Sequence, residues 1–314
     1  MTSTRLQIRQ AMLNEDVTGG LYGTATAGAA TTLTDTTLLA VGGNAASRYS
    51  NQYLYRPAAA NAADYYRRVT AAGYAPTTGV LTHGTPNYTQ APLAGAPADS
   101  GYYELWPYDP RIVNRAIARA LTDRCFSIQQ DSVTTNGQTR YDVTAAPFSL
   151  TSITTIQDQV LEISQITGTD PNAAVSRWDR AGNTWWPELD NGTLYMRFKP
   201  APTGTIRLTW KAPYAALTDE STTTACPLDY VKWAAFFELF DALARDAKRR
   251  GEPTEQYDAM KADAFTRYWA ENHKHLGEYA AQLYRGKARW KSTAPAPRMG
   301  RAGSQLGGSM GRTI

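Results

Sequence analysis

Apolar side chains recur at helical spacing in four stretches of the chain. The strongest stretch follows Asp109, a residue type that favours the N-cap, and Pro110, whose missing N–H suits the first helical position. The apolar positions that follow are Val113, Ala116, Ile117, Ala120 and Leu121. They are spaced i, i+3, i+4, i+7 and i+8, so the pattern predicts a helix from Pro110 that buries one face.

The stretch between Pro227 and Gly251 predicts a longer helix with aromatic residues on more than one side. Pro227 lies near its start, basic residues complement the dipole at its end, and Gly251 follows as a stop signal. Its large apolar residues are Trp233, Phe236, Phe237, Leu239, Phe240 and Leu243. An apolar surface this wide has to be covered from several sides.

Two further helical patterns lie towards the ends of the chain. Residues 3–14 form a short candidate with Ile8 and Met12 on one face. Residues 254–285 are long enough for one or two helices, and Gly277 is a candidate break. The apolar face of this second stretch contains Met260, Ala264 and Tyr268.

Two longer segments carry the chemistry of strands and turns. Residues 19–106 contain aromatic or β-branched runs such as YLYRP, DYYRRVT, GVLTH and GYYELW, which predict a small barrel or sandwich. A second β module is expected in residues 127–216. Its clearest unit, LYMRFKPAPTGTIRLTWK, alternates apolar and polar positions on both sides of a Pro-Gly loop. We expect this unit to be an amphipathic hairpin.

These patterns together predict an α+β fold in which a discontinuous helical core carries two inserted β modules and an extended C-terminal arm. The expected segments are an N-terminal core helix (1–18), a β module (19–106), a core helix (107–126), a second β module (127–216), core helices (217–285) and the arm (286–314).

An uneven charge distribution sets the end of the chain apart. The 314 residues include 32 Lys and Arg and 28 Asp and Glu, and residues 285–314 hold seven of the basic residues and no acidic one. The remaining body is mildly acidic. The basic segment is rich in Gly, Pro and Ser, so it cannot bury enough apolar surface to fold alone. We therefore expect an interaction arm that a partner orders.

Catalytic and metal signals are weak. Ser309 lies in a G-x-S-x-G pattern, but a nucleophile elbow needs a strand before it and a helix after it. His273 and His275 would point about 200° apart on a helix, too far to share a metal ion. Cys125 and Cys226 form neither a disulfide framework nor a metal-binding spacing. We expect no enzymatic activity, no catalytic residue, no metal and no cofactor.

The sequence predicts neither a signal peptide nor a membrane span. Its first twenty residues contain no apolar core of a signal peptide, and no apolar run approaches the about 20 residues that span a bilayer. We expect no membrane partner and synthesis in a reducing compartment.

Two groups of residues leave their interpretation open. The first fits either a stacking platform for sugars or bases, or the core of a β module: Trp178, Trp185 and Trp186. The second fits either a phosphate-binding stripe or paired, solvated side chains: Arg111, Arg115 and Arg119.

Two regions carry a likeness to a known family. The first contains GTATAGAATTLTDTTLL, the runs YLYRP, DYYRRVT, GVLTH and PNYTQAP, and YYELWPYDPRIVNRAIARAL. The second is APYAALTDESTTTACPLDYVKWAAFFELFDALARDAK, in which an L-T-D/E segment leads through Pro into an aromatic helix. Together they resemble the head–tail connector, or neck adaptor, proteins of tailed bacteriophages. The β module at about 20–106 is a departure, because the smallest adaptors lack it.

The resemblance implies a structural virion protein, made in the cytoplasm of the bacterial host and placed in the neck between portal and tail. Such adaptors form rings, commonly of twelve copies, that dock beneath the portal and provide a platform for tail or nozzle proteins. Genomic DNA passes through their channel without sequence-specific binding. Their C-terminal arms often reach onto the portal.

The resemblance to neck adaptors implies roles for two sets of residues. The arm residues expected to bind the portal or a neighbouring subunit are Lys287, Arg289, Trp290, Lys291, Arg298, Arg301 and Arg312. The residues expected to pack between subunits are Trp233, Phe236, Phe237 and Phe240. The alternatives are a tail, receptor-binding or carbohydrate-binding component of a phage particle, based on the tryptophans, and a DNA-binding protein, based on the basic arm.

Overall fold

The computed structural model describes residues 2–15, 19–29, 31–41, 45–56, 65–83, 101–144, 160–167, 174–177 and 183–279. These residues form a mixed α+β fold of helices and several antiparallel sheets. The chain divides into two units, one of Met1–Ile128 with Ala212–Ala281 and one of Gln129–Lys211 with Gln282–Ile314.

Four helices of nine residues or more lie in the described part of the first unit. They are α1 (Arg5–Leu13), α2 (Pro110–Arg119), α3 (Leu228–Arg250) and α4 (Glu255–Leu276). A helix is present in each of the four predicted stretches, and residues 280–285 of the last stretch lie outside the described residues. The predicted signals act where expected, because the Asp109 side chain accepts a hydrogen bond from the Arg111 N–H and Gly251 ends α3 at a φ of 70°.

The helices share one apolar core. Helix α3 packs against α1, α2 and α4, so its wide apolar surface is covered from several sides. Phe236 and Phe240 stack with ring centroids 5.7 Å apart and are 0% and 1% exposed. A short pair of strands, β1 (Ser3–Thr4) and β16 (Thr223–Thr224), joins the start of α1 to the segment before α3.

One antiparallel sheet of seven strands precedes α2. Its strands are β2 (Leu21–Thr24), β3 (Ala27–Ala29), β4 (Thr32–Thr34), β5 (Tyr53–Arg56), β6 (Tyr65–Ala75), β7 (Val80–His83) and β8 (Tyr102–Trp106). Their order across the sheet is β2–β8–β5–β6–β7–β4–β3. The expected strand segments are confirmed, but among the described residues no sheet closes into the barrel that was one of the two expected forms.

Both faces of this sheet are buried near its centre. Leu54 lies opposite Leu105 on one face, within an apolar cluster that the module builds for itself. The neighbouring pair, Tyr55 and Glu104, points to the other face, where Tyr55 and Trp106 belong to the helical core. Because successive strand residues alternate between faces, these strands read as continuous apolar runs rather than as alternating ones.

The second unit contains two sheets. Its strands are β9 (Phe126–Thr134), β10 (Arg140–Asp142), β11 (Val160–Thr167), β12 (Ala174–Arg177), β13 (Thr184–Asp190), β14 (Thr193–Lys199) and β15 (Thr205–Pro213). One sheet has the order β12–β11–β15–β9 and the other β10–β14–β13. Ile163 and Leu208 of the first sheet share one apolar cluster with Met196 and Phe198 of the second, the arrangement of a sandwich.

The expected hairpin between residues 194 and 210 is wrong. Strand β14 pairs with β10 and β13, whereas β15 pairs with β11, so the two strands lie in different sheets. Residues 200–204 connect one sheet to the other. The alternating pattern could not distinguish these cases, because two strands that face each other across a sandwich have the same inward and outward positions as a hairpin.

The hairpin of this region lies one strand earlier. Strands β13 and β14 are joined by Asn191 and Gly192, which have positive φ angles of 47° and 81°. Asn-Gly is the residue pair that favours such two-residue turns, so the sequence did contain a signal for the correct hairpin.

A buried ion pair connects α1 to the seven-stranded sheet. The side chains of Arg9 and Glu104 are both 0% exposed, and the Arg9 Nε donates to the two carboxylate oxygens at 3.0 and 2.9 Å. Trp106 Nε1 and the Tyr102 hydroxyl also donate to Glu104, at 2.6 and 3.1 Å. The carboxylate is thus surrounded by donors.

The other nitrogens of Arg9 reach two further segments. Nη1 donates to Asn114 Oδ1 of α2 at 3.1 Å, and Nη1 and Nη2 donate to Glu220 at 2.8 and 3.0 Å. The Tyr55 ring lies 4.8 Å from Cζ. Burial acts to lower the pKa of Arg9, but Glu104 and Glu220 outweigh it and raise the pKa, so the guanidinium stays charged.

Replacing a core aromatic should destabilise the first unit strongly. Phe236→Ala should lower the free energy of unfolding by about 3–5 kcal/mol, because a fully buried Phe leaves a cavity. Denaturant titration followed by circular dichroism measures this change. Phe265→Ala, at a position that is 37% exposed, is the matched control and should cost clearly less. Equal losses in the two variants would contradict the assigned core.

Removing the Arg9 charge should destabilise the protein in a pH-dependent way. Arg9→Met leaves Glu104 buried without its counter-ion, which should cost about 3–5 kcal/mol near neutral pH. Burial already raises the pKa of Glu104, and the variant loses the attraction to Arg9 that opposes this rise. Proton binding to Glu104 therefore stabilises the folded variant. This stabilisation is fully present below the unfolded pKa of 4.5 and is lost as the pH rises through the raised pKa of the folded state.

Urea titrations of Arg9→Met near pH 4 and near pH 7 should therefore show the smaller loss at the lower pH. The double variant Arg9→Met/Glu104→Gln has no carboxyl to titrate, and its loss should depend less on pH. A loss in Arg9→Met that is the same at both pH values would show that Glu104 is not the group left uncompensated.

Candidate interaction surface

Helix α3 has one surface in the core and another that reaches solvent. Trp233, Phe236 and Phe240 are 7%, 0% and 1% exposed, whereas Phe237 is only partly buried. Phe236 and Phe240 lie within the core of the single chain. The predicted role in subunit packing stays a prediction for this set, and Phe237 is its member with area still available.

An aromatic row continues from Phe237 onto α4. The Phe265 ring lies 5.6 Å from that of Phe237, and Trp269 stacks on Phe265 at 6.3 Å. His273 follows, with its ring edge-on to Trp269 at 4.5 Å. Residues four apart on a helix are neighbours on one face, which aligns these three rings of α4. We call Phe237, Phe265 and Trp269 the aromatic row.

A group of charged side chains lies beside the aromatic row, and we call it the cation cluster. It consists of Arg119, Arg124, Arg245 and Lys261 with the carboxylates of Glu238 and Asp241. Arg124 Nε lies 2.7 Å and Arg119 Nη1 3.9 Å from Glu238, which is 5% exposed. Lys261 and Arg245 both form ion pairs with the Asp241 carboxylate. The cluster has two more positive than negative charges.

The row and the cluster form one continuous surface. The Arg124 Cζ lies 4.9 Å and the Lys261 Nζ 5.4 Å from the centre of the Phe237 ring, within the range of cation–π attraction. Burial acts to raise the pKa of Asp241, but the hydrogen bond and charge of Lys261 outweigh it and lower the pKa. The carboxylate therefore stays ionised and keeps the cations in place.

Part of the predicted site lies outside the described residues. This holds for all the predicted arm residues, Lys287, Arg289, Trp290, Lys291, Arg298, Arg301 and Arg312. It also holds for Ser309 and Trp178.

The arginine stripe of α2 contains paired side chains. Arg111 binds the Asp109 carboxylate at 2.5 Å, and Arg119 belongs to the cation cluster. Of the two open interpretations of the stripe, this pairing favours ordinary ion pairs over a phosphate site.

The fold separates two neighbouring tryptophans. Trp185 packs against the apolar cluster of the second unit, whereas Trp186 lies opposite Arg197 on the outer face of the sheet. Successive strand residues point to opposite faces, so these two rings cannot form one stacking platform. Once the segment is recognised as a strand, the sequence alone predicts that Trp185 and Trp186 point to opposite faces.

Cys125 and Cys226, isolated in the sequence, meet in the structure. Both are fully buried free thiols in the helical core, and they are close enough for a side-chain hydrogen bond. Burial, together with this contact, raises the pKa of the Cys125 thiol. No sequence signal identifies the pair, because Cys125 follows the helical turn Ala120–Arg124 and Cys226 lies in a distant segment just before α3.

Histidines and carboxylates do not assemble into a metal site in the part of the chain that the structure describes. His275 lies 3.3 Å from Glu271, while His273 contacts Trp269 instead. No described helix combines the length and apolar character that crossing a membrane requires.

Comparisons with known proteins add no relative: no family model, no curated protein and no solved structure matches this chain. The function has to be inferred from the residues and geometry described above.

The buried cysteines should be unreactive in the folded protein. The thiolate is the reactive form, and both burial and a raised pKa oppose its formation at Cys125. Ellman's reagent at neutral pH should therefore titrate neither thiol in the native protein and both in denaturant. A variant with an exposed thiol, Gln256→Cys, serves as the positive control. Fast native reaction of Cys125 or Cys226 would contradict their placement in the core.

Proposed function

We propose that this chain is a head-to-tail adaptor of a tailed bacteriophage. Copies of the chain form a ring, with twelve as the expected number, that docks below the portal. The ring surrounds part of the DNA channel and provides a platform for tail or nozzle proteins. Its role is structural, with no catalytic residue and no cofactor, and its place is the neck of the virion.

The observation that carries the proposal is that the two adaptor-like regions meet in one core. Trp106 and Ile117 come from residues 102–121, and Tyr230 comes from residues 212–248, yet all three belong to the same apolar cluster. The second unit separates these regions along the chain. Sequence likeness in two distant regions has more weight when those regions pack against each other than when they lie in separate bodies.

We also propose that the chain has a discontinuous helical core with two inserted β modules and a C-terminal arm. The discontinuous helical core comprises residues 1–18, 107–126 and 217–285, the inserted β modules are 19–106 and 127–216, and the arm is 286–314. The apolar cluster shared by α1, α2, α3 and α4 supports a common helical core. The two modules are then available for contacts with other neck proteins.

The charge of the body suits a channel through which DNA slides. Contacts of Lys and Arg with phosphate dominate affinity for DNA, so a channel wall should not present many unpaired cations. Outside the cation cluster, exposed arginines of α3 and α4 pair along their own helix: Arg250 with Asp246 and Arg267 with Asp263. The mild excess of acidic residues in residues 1–284 also disfavours binding to DNA phosphates.

Deleting residues 287–314 should abolish attachment to the portal ring without unfolding the body. The deletion removes the basic residues and Trp290, a residue type common at interface hot spots. Electron microscopy of the protein mixed with portal rings of the same phage measures attachment, and circular dichroism measures folding.

A shorter deletion, 302–314, removes only Arg312 from the predicted set and is the matched control, expected to retain most attachment. If the 287–314 deletion attaches as well as the intact chain, the arm does not bind the portal. If the intact chain itself neither forms rings nor attaches, the adaptor proposal is wrong.

A second candidate, a carbohydrate-binding tail component, is favoured by one observation. Trp186 and Tyr195 both lie on the outer face of the three-stranded sheet, where Arg140 stacks on Tyr195 at 3.7 Å. Binding on a glycan array that is lost in Trp186→Ala would support this candidate over the adaptor.

A further inference from the structure

We infer that the aromatic row and the cation cluster form the surface on which one copy of this chain binds an acidic surface of a second copy. The inference deepens the proposed function, on which it rests, by naming the residues of an intersubunit contact. It differs from the sequence-based expectation, because two of its three aromatic residues come from α4 and not from α3.

Exposure is the first argument. Phe265 is 37% exposed in the single chain, although it stacks with Phe237 and Trp269 into a continuous apolar strip. Aromatic residues and Arg are enriched in the cores of protein interfaces. An exposed Phe within a row of rings, bordered by arginines, has this composition.

The distribution of charge over the chain favours an acidic surface of a second copy as the partner. The cation cluster has four basic and two acidic residues, and Arg119 and Arg245 are 47% and 51% exposed. The rest of residues 1–284 contains 21 basic and 26 acidic residues, a net charge of −5. A locally positive surface on an acidic body attracts another copy of that body.

The same charges argue against the other occupants. The basic segment 285–314 of the chain itself carries seven positive charges and no negative one, so its charge does not complement a net positive cluster. Nucleic acid would bring phosphates towards Glu238 and Asp241, which lie in the middle of the cluster. A protein surface can direct carboxylates to the outer arginines and apolar groups to the row.

Thiol labelling of Phe265→Cys tests the contact directly. Cys125 and Cys226 are fully buried, so the introduced thiol is the one available to a maleimide. Sedimentation identifies a concentration at which the chain is self-associated and one at which it is monomeric. Labelling should be at least about tenfold slower in the associated state, because the partner covers the site.

Gln256→Cys is the matched control. It occupies an exposed position of the same helix, about 180° around the axis from Phe265, since nine residues at 100° each separate the two. Its thiol should react at the same rate at both concentrations. Circular dichroism confirms that both variants are folded.

A second measurement does not depend on labelling. Phe265→Asp should weaken self-association at least about tenfold, because it places a carboxylate in an apolar contact, whereas Gln256→Asp should leave it unchanged. Raising the salt concentration should weaken association of the unaltered chain, because the contact depends partly on charge.

Several results would overturn the inference. One is equal labelling of Phe265→Cys in the associated and monomeric states, and another is a chain that stays monomeric at every concentration. A third is a thiol that is protected in the monomer but becomes reactive when residues 280–314 are deleted, because the chain itself would then cover the site. Protection that appears on adding duplex DNA rather than more protein would also overturn it, in favour of a nucleic-acid site. Attachment to portal rings is a separate measurement. If the Phe265→Cys thiol is unprotected in rings that still attach, this contact is refuted and the adaptor proposal stays intact.

Discussion

The first unit depends on the compensation of one buried charge. Arg9 has no exposed surface, and moving a guanidinium out of water is unfavourable unless its hydrogen bonds and charge are satisfied. Its partners come from three other segments, through Glu104 in β8, Asn114 in α2 and Glu220 before β16. Apolar packing is non-directional and tolerates small shifts. The five N–H groups of a guanidinium have fixed directions, so their hydrogen bonds do not tolerate such shifts. The position of α1 relative to the sheet and to α2 follows from this requirement.

Helix α3 contributes both to the core and to the proposed contact surface. Its buried aromatics close the core that the Arg9 network positions, and Phe237, which is only partly buried, belongs to the aromatic row. Glu238, next in sequence, is almost fully buried and holds Arg124 and Arg119 beside this surface. Residues that stabilise the fold and residues proposed to bind a neighbour therefore alternate along one rigid helix. Such a surface is pre-organised, which reduces the entropy lost on association.

The two β modules bury their apolar residues in different ways. The seven-stranded sheet places Leu54 and Leu105 against its own module and Tyr55 and Trp106 against the helices. The second unit closes two smaller sheets on each other and so needs no helix for its core. Its outer face carries Trp186 among charged residues. A unit with its own core can present such a face without affecting the helical core.

Local patterns in the sequence determined the helices and most strands, because caps and periodicity act over a few residues. Asp109 and Gly251 delimit two helices by backbone chemistry that any observer of the sequence can recognise. The tertiary structure alone decided that 194–210 is not a hairpin, since alternation is the same for both arrangements. It alone brought Cys125 to Cys226 and Arg9 to Glu104. Contacts between residues far apart in the chain depend on how whole elements pack, and no local pattern encodes that packing.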